Sequence, residues 1–397
     1  MRRFLFFLFA GVLLFLIGAR TLLPEPIPAQ TVMAESHGYN ILSPALSSVT
    51  HTAGSAVIAE INAHYLHRAP TAKNEYTGLF EGFNLILLCA PDWSPDLGDR
   101  DSCPSAYRLH REGIRFTDVY RPDWYQESDG QEFALLTGMV PTNINGQTAM
   151  LHTGEQNIWL PFSLGCAFSG AGYDTLVSFR EPEHLASYHT LGFLRRVPEA
   201  ASPLVSLMTT LPLLETAEPF FAYYILDTES GDGVLTFLLN WLGTSGLKSR
   251  TAICLLTGNN ENHRAQIFLF GPGLSPAEVS IPCSELDIAP TLLNLFGFPY
   301  DARFLSGRDV FSDTGSADDP SAVTPIVSLY GSAYSDWITP AGSYIAADSL
   351  FWQRQDCFED SKSLATYVNT VCQLVYDRYV YSRKIMETDY FRHIFPG

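Results

Sequence analysis

The sequence predicts an α/β fold: a central, mostly parallel sheet sandwiched by helices, with an N-terminal membrane helix and a smaller C-terminal region of strands and a helix. Three observations carry this. Short apolar runs of β type alternate with helical stretches from residue 84 to residue 296. Two of those runs, Leu85-Ile-Leu-Leu88 and Ile253-Cys-Leu-Leu256, are apolar without a break, as strands covered on both faces must be. Near the N-terminus, residues 4–19 are uncharged and apolar on every side, which suits lipid better than one face of a soluble domain.

Taken in order, residues 84–89, 114–119, 175–179, 220–226, 252–256 and 266–270 read as strands. Residues 105–112, 131–137, 203–214, 235–242 and 285–296 read as the helices between them. A further helix is expected around 53–65, and a last one around 363–379 after a strand-rich stretch. Ligand sites in such sheets form where strands end and loops begin. The acidic, turn-rich segment Ser312-Asp-Thr-Gly-Ser-Ala-Asp-Asp-Pro-Ser321 reads as a surface loop or linker. The organisation expected is therefore an anchor or signal segment at 1–23, a juxtamembrane region with a helix at 24–73, an α/β core at 74–312, and a C-terminal subdomain at 313–397.

Arg2 and Arg3 precede the apolar run, and at 1.5 Å per residue that run spans about 24 Å, short of the ~30 Å hydrocarbon core unless Thr21 to Leu23 extend it. It reads first as a membrane anchor. The alternative is a cleaved signal, with small-residue sites at Pro28-Ala29-Gln30 and Met33-Ala34-Glu35. Either way the paired arginines stay cytoplasmic and everything after residue 30 is exported.

The chain carries 42 acidic against 24 basic residues, a net charge of −18. Such a surface repels phosphate backbones, which excludes nucleic acid as a partner. Any phosphate-bearing ligand would need a local positive centre, most simply a metal ion. The seven cysteines are scattered with no CxxC or zinc-ligand spacing. Cys357 and Cys372 suit either a disulfide in an exported domain or plain core packing.

Four segments, in order, resemble the lipoteichoic acid synthase branch of the alkaline phosphatase/sulfatase superfamily. They are Asn74-Glu-Tyr-Thr-Gly-Leu-Phe-Glu-Gly-Phe-Asn-Leu-Ile-Leu-Leu88; Leu109-His-Arg-Glu-Gly-Ile-Arg-Phe-Thr-Asp-Val-Tyr120 with residues 126–138; Thr257-Gly-Asn-Asn260 with Leu286-Asp-Ile-Ala-Pro-Thr-Leu-Leu-Asn-Leu-Phe-Gly297; and Tyr381-Ser-Arg-Lys-Ile-Met-Glu-Thr-Asp-Tyr-Phe-Arg392. The resemblance implies an extracellular enzyme that attacks a phosphodiester with a metal-bound threonine and passes glycerophosphate to a growing polymer. It also implies one manganese or magnesium ion, held by a glutamate after the first strand, the threonine, and an Asp-His pair after a late strand.

Residue by residue, the family glutamate falls on Pro91, with Asp92 one place out of register. The threonine falls on Ser128, which keeps a hydroxyl. The Asp-His pair falls on Asn259 and Asn260, with Glu261 and His263 close by as displaced donors. The family's substrate-side histidine falls near Ser230, and its aromatic–arginine clamp near Arg180 and His184. Asp92, Asn259 and Asn260 thus stand as the metal ligands, Ser128 as the catalytic residue, and Arg180 and His184 as substrate-binding residues. On their own, Ser128 reads as a helix N-cap, Asp92 as a turn carboxylate, the asparagines as loop, and Asp287 as a helix cap. Losing two carboxylate-class ligands removes roughly two unit charges at ~2 Å from the ion, worth several kcal/mol of binding even at an effective ε near 20.

The expectation is a degenerate, membrane-anchored pseudoenzyme with a cell-envelope role, binding a polyol-phosphate polymer, a lipid or a partner protein, and binding manganese or magnesium weakly if at all. The alternative is an active phosphoglycerol transferase or phosphodiesterase using Ser128 and a remodelled metal site. A formylglycine sulfatase is excluded, because Cys103-Pro-Ser-Ala-Tyr-Arg108 does not match its Cys/Ser-x-Pro-x-Arg string.

Overall fold

A computed structural model describes residues 27–28, 54–66, 68, 71–98, 100–122, 124, 128–217, 219–226, 231–259, 264–312, 324–325, 336–346, 348–354 and 356–395. The apolar run at 4–19 lies outside these residues. Among the described residues no helix is long and apolar enough to cross a membrane.

Most strands belong to one nine-stranded sheet. Numbering strands in chain order, it contains β2 (Asn84–Ala90), β3 (Ile114–Tyr120), β4 (Asp174–Phe179), β5 (Arg195–Pro198), β6 (Phe220–Ile225), β7 (Thr251–Asn259), β8 (Arg264–Phe270), β9 (Ala277–Val279) and β10 (Cys283–Ser284). The spatial order is β10-β3-β8-β7-β2-β6-β4-β5, with β9 also paired to β3. Within this sheet β8 runs against both its neighbours, and the other pairings are parallel. All seven residues of β2 are buried: the apolar run Leu85–Ala90 requires it, and the Asn84 side chain is satisfied by Thr251 and the Phe220 N–H. Residues 84–89, 114–119 and 252–256 therefore lie in one buried sheet, as the sequence predicts.

Helices cover both faces and divide the core in two. Leu85, Leu87, Cys89 and Tyr223 point into one cluster with Phe133, Phe168 and Phe296. Ile86, Leu88, Ala222 and Tyr224 point into the other, with Leu207, Leu235 and Leu238. The alternation follows from the two-residue period of a strand. The helices behind these clusters are α2 (Pro104–Glu112), α3 (Ser128–Thr137), α5 (Leu164–Gly170), α7 (Pro203–Leu214), α8 (Gly231–Ser245) and α9 (Ile288–Leu295). Helix α1 (Gly54–Leu66) lies against the C-terminal helix, where the Glu60 carboxylate meets Lys384 at 2.5 Å and His64 stacks on Tyr381. Helical segments not expected from sequence also appear, among them α4 (Ala149–Glu155), α5, α6 (Leu185–Thr190) and a 3₁₀ turn at Pro182–His184.

A second sheet joins β1 (Ile27–Pro28), β14 (Leu350–Gln353), β13 (Gly342–Ile345), β12 (Trp337–Ile338) and β11 (Thr324–Pro325). The last long helix, α10 (Ser361–Thr388), runs nine residues past the expected end at 379. Its first half packs Leu364, Tyr367, Val368, Val371 and Val375 under the second sheet. Its second half delivers Ile385 and Met386 to the main core. One continuous stripe at three- and four-residue spacing thus ties both sheets together. Asp360 and Ser363 form its capping box, and Asp389, at φ 46°, ends it in the left-handed conformation before α11 (Tyr390–Ile394). No disulfide joins Cys357 to Cys372; both pack in the small core, where the Cys372 thiol accepts the Trp337 indole N–H.

Phe168 is fully buried and its ring meets Tyr173, Phe221, Phe296 and Phe298. Phe168→Ala is expected to lower unfolding stability by about 3–5 kcal/mol in a urea titration. Leu194→Ala, at a side chain 61% exposed, is expected to change it by less than about 0.5 kcal/mol. Equal midpoint shifts in the two variants would contradict this assignment of the core.

Candidate functional site

Strand register decides which loops meet at the carboxyl edge of the large sheet. Ala90 pairs with Thr257, which sets Pro91 beside Gly258. Tyr120 pairs with Ser284, which sets Arg121 beside Glu285. The loop after β2 folds back onto β7, where Gly258 donates its N–H to the Trp93 carbonyl at 3.1 Å.

The Arg121 guanidinium stands at the centre of this junction. Its Nη1 donates to the Pro91 carbonyl and its Nη2 to the Gln131 Oε1 on α3. Gly258 is required here: a Cβ on it would lie 2.7 Å from the Pro91 oxygen and 2.9 Å from Arg121 Nη1. Glu285, only 1% exposed, accepts the Trp124 indole N–H at 2.6 Å. Burial pushes its carboxyl up to about 7, against the opposing pull of its own backbone hydrogen bond, the Trp124 indole and the Arg121 charge. Trp124 reaches it by lying across the first turn of α3, where Gly130 leaves the space; a Cβ there would sit 2.6 Å from that of Trp124. Cys89, Pro91, Arg121, Gln131, Thr257 and Glu285 line a cleft with room for little more than one water molecule.

A second group lies behind α3. His184 Nε2 is 3.2 Å from Asp129 Oδ2, and its Nδ1 is 3.9 Å from Glu132 Oε2. Thr148 Oγ1 also donates to Asp129, and the Tyr188 hydroxyl donates to Glu132 Oε1 at 2.9 Å. Burial opposes a charged His184, but the Asp129 hydrogen bond and the two carboxylates outweigh it and hold its pKa above the ordinary value. Burial raises Glu132 to about 6, against the opposing pull of the Tyr188 hydroxyl and His184.

The residues expected from sequence are distributed as follows. Ser128 opens α3, immediately before Asp129. Asn259 ends β7 beside the Pro91 loop, whereas Asn260, Glu261, His263 and Ser230 lie outside the described residues. Asp92 is exposed on the loop after β2. Arg180 and His184 part company: Arg180 pairs with Glu199 at 2.5 Å, and His184 is buried against α3. Asp287 closes a capping box with Ser284 and accepts the Arg308 backbone N–H at 2.8 Å.

Arg121, Gln131, Trp124, Glu285, Asp129 and Glu132 were not singled out from sequence. Arg121 carries a usable signal, since it directly follows a strand at the edge where sites form. Glu285 carries a weaker one, as a carboxylate between the apolar residues Cys283 and Leu286.

A hard divalent cation takes carboxylate, carbonyl and imidazole donors. Among the described residues no group of three or more His, Cys, Asp or Glu is placed to hold one. At the junction the donors are a backbone carbonyl, an amide oxygen and a carboxyl that keeps its proton up to about pH 7, with a guanidinium among them. This set does not fit the metal that the resemblance implies.

The fold is that of the alkaline phosphatase/sulfatase superfamily, with a mostly parallel sheet between helices. The chain is similar to the lipoteichoic acid synthase LtaP of Listeria monocytogenes, at 15% identity and a TM-score of 0.65, covering 82% of this chain and 98% of that one. It is similar to an alkaline phosphatase superfamily protein of Vibrio parahaemolyticus, at 15% identity and a TM-score of 0.56, covering 85% and 97%. It is also similar to a Bacteroides thetaiotaomicron sulfatase from a glycosaminoglycan-metabolising locus, at 15% identity and a TM-score of 0.52, covering 77% and 99%. No protein-family model and no curated protein matches the chain.

Glu285 and Glu132 make stability depend on pH with a fixed sign. Between an ordinary carboxyl value near 4.5 and about 7, the folded chain holds a proton on Glu285 that the unfolded chain releases. Stability therefore falls as pH rises through that window, by on the order of 3 kcal/mol for the 2.5-unit difference. Glu132 adds to the fall up to about pH 6. His184 acts in the same direction, its contribution being complete below 6.5 and lost as pH rises through its raised value. Glu285→Gln is expected to flatten the decline in melting temperature between pH 5 and pH 8. An unchanged slope in this variant would show that Glu285 is not a buried acid.

Proposed function

We propose that this chain is a non-catalytic, cell-exterior member of the lipoteichoic acid synthase-like group, tethered by its N-terminal apolar segment and acting in the cell envelope by binding. The observation that carries the reading is the donor set at the carboxyl edge. Pro91 offers a carbonyl where the resemblance calls for a glutamate, and a guanidinium stands where it calls for a cation. A hydroxyl at Ser128 needs a strong, close positive charge to ionise near neutral pH. Arg121, already engaged by Pro91 and Gln131, supplies one charge and no open coordination position.

The ligand proposed is a polyol-phosphate polymer, its lipid-bound form, or a partner protein of the envelope. In a chain of net charge −18, a phosphate-bearing ligand requires a local positive centre.

The purified protein is expected to hydrolyse bis(p-nitrophenyl) phosphate, p-nitrophenyl sulfate and phosphatidylglycerol no faster than its Ser128→Ala variant, with or without millimolar manganese. It is also expected to retain glycerol-phosphate polymer in a sedimentation or surface-binding assay. Manganese-dependent turnover that disappears in Ser128→Ala would favour the active phosphoglycerol transferase instead. For localisation, removing residues 1–30 is expected to release the protein from membranes in high salt, since no other stretch of the sequence is apolar enough to span. Membrane retention of the truncated chain would overturn the single-anchor proposal.

A further inference from the structure

The disagreement between the donors at the carboxyl edge and the metal expected there has a definite form. The guanidinium does not lie near the junction by accident of a long side chain. Arg121 leaves the last residue of β3, whose register with β10 and β8 is fixed over Val119 and Tyr120. It then reaches the loop after β2 through Pro91 and the first half of α3 through Gln131. It also lies against Gly258 near the end of β7, where a Cβ would come within 2.9 Å of its Nη1. These are the segments that the resemblance assigns to an ion: the strand end carrying Pro91, the helix opened by Ser128, and the strand end carrying Asn259.

The local charges agree with the geometry. A divalent ion among two carboxylates is close to neutral. Here the substituted positions carry proline and asparagine, and among the described residues the Arg121 guanidinium acts on the titratable carboxyl of Glu285. The carboxylates and the need for two positive charges are absent together. A half-buried arginine is stabilised by such partners, and a divalent ion beside it would meet a like charge at close range.

We infer that Arg121 is a built-in cation that replaces a divalent metal at this junction, tying the loop after β2 to α3 beside the end of β7 and keeping a metal from binding. The inference concerns the same junction as the proposed function. It stands or falls by metal binding, whereas the proposed function stands or falls by turnover and polymer binding, so the two fail separately.

The test compares four forms of the full chain by manganese titration calorimetry and by melting temperature with manganese or EDTA: the unaltered protein, Arg121→Ala, Pro91→Glu/Asn259→Asp/Asn260→His, and the triple change combined with Arg121→Ala. The unaltered protein is expected to show no manganese heat, no EDTA effect, and a shift below about 2 °C with millimolar manganese. Arg121→Ala is expected to melt lower and, lacking donors, to bind no metal. The triple variant with Arg121 retained is expected to bind manganese at least about 100-fold more weakly than the quadruple variant. The quadruple variant is expected to gain about 3 °C or more in manganese, since stabilisation follows RT ln(1 + [L]/Kd). Where Arg121→Ala does not fold, Arg121→Met keeps the apolar stem, and the comparison is made with that variant. Equal manganese affinity with and without Arg121, or a large manganese shift in the unaltered protein, would overturn the inference.

Discussion

A guanidinium placed at the carboxyl edge of a buried parallel sheet must be compensated by whatever surrounds it, because removing an ion from water costs several kcal/mol. In this chain that compensation comes from three segments far apart in sequence. Pro91 gives a carbonyl from the end of β2, Gln131 an amide oxygen from α3, and Glu285 a carboxyl from the turn after β10. Each partner is fixed by another constraint. The Pro91 loop is pinned by the Gly258–Trp93 hydrogen bond, Gln131 by the helix it sits on, and Glu285 by the Trp124 indole. The two glycines that permit this, Gly130 and Gly258, are spaces demanded by an indole and a guanidinium.

The site therefore behaves as one unit. Taking away the guanidinium would leave a carboxyl and a carbonyl facing each other in a dry cleft, which penalises the arrangement more than the loss of any single bond. The His184 group behind α3 extends the same logic. Asp129 and Glu132 sit on the opening turns of the helix that bears Gln131, and His184 holds both carboxylates from the other side. Helix α3 is thus clamped between a guanidinium at its front and an imidazole at its back, with Ser128 at its first position.

How legible this was depended on whether a feature leaves a repeating trace. Strands buried on both faces do, and six of them could be read within a few residues of their observed ends. Strands of two to four residues, such as those at 195–198, 277–279 and 283–284, leave no period to detect. The final helix was expected around 363–379 and runs to 388; Arg378 and Ser382 are buried, so its stripe continues through polar side chains that do not register as apolar in the sequence. At the site, positions could be assigned through resemblance, but the replacement of their chemistry could not. The positive charge comes from seven residues before Ser128, just past the end of a neighbouring strand. Glu285 was absorbed into an expected helix, and nothing in its immediate sequence announces Trp124 as its partner.

The comparison of charges is also what supports the proposal of a non-catalytic chain over that of a remodelled enzyme. A divalent ion ~2 Å from a hydroxyl oxygen exerts about three times the Coulomb stabilisation of a single guanidinium charge at ~3 Å, whatever common effective dielectric is chosen. The guanidinium charge is further delocalised over a planar group and shared with Pro91, Gln131 and Glu285. Phosphoryl transfer depends on positioning and on neutralising charge at the equatorial oxygens, which a metal does by direct coordination. A guanidinium can orient a phosphate by hydrogen bonds but cannot accept it as a ligand while also ionising the nucleophile. On the proposed reading, a guanidinium in place of the ion would make the junction self-sufficient as a structure and would leave Ser128 without a strong activating charge, which is why recognition is proposed over turnover for this chain.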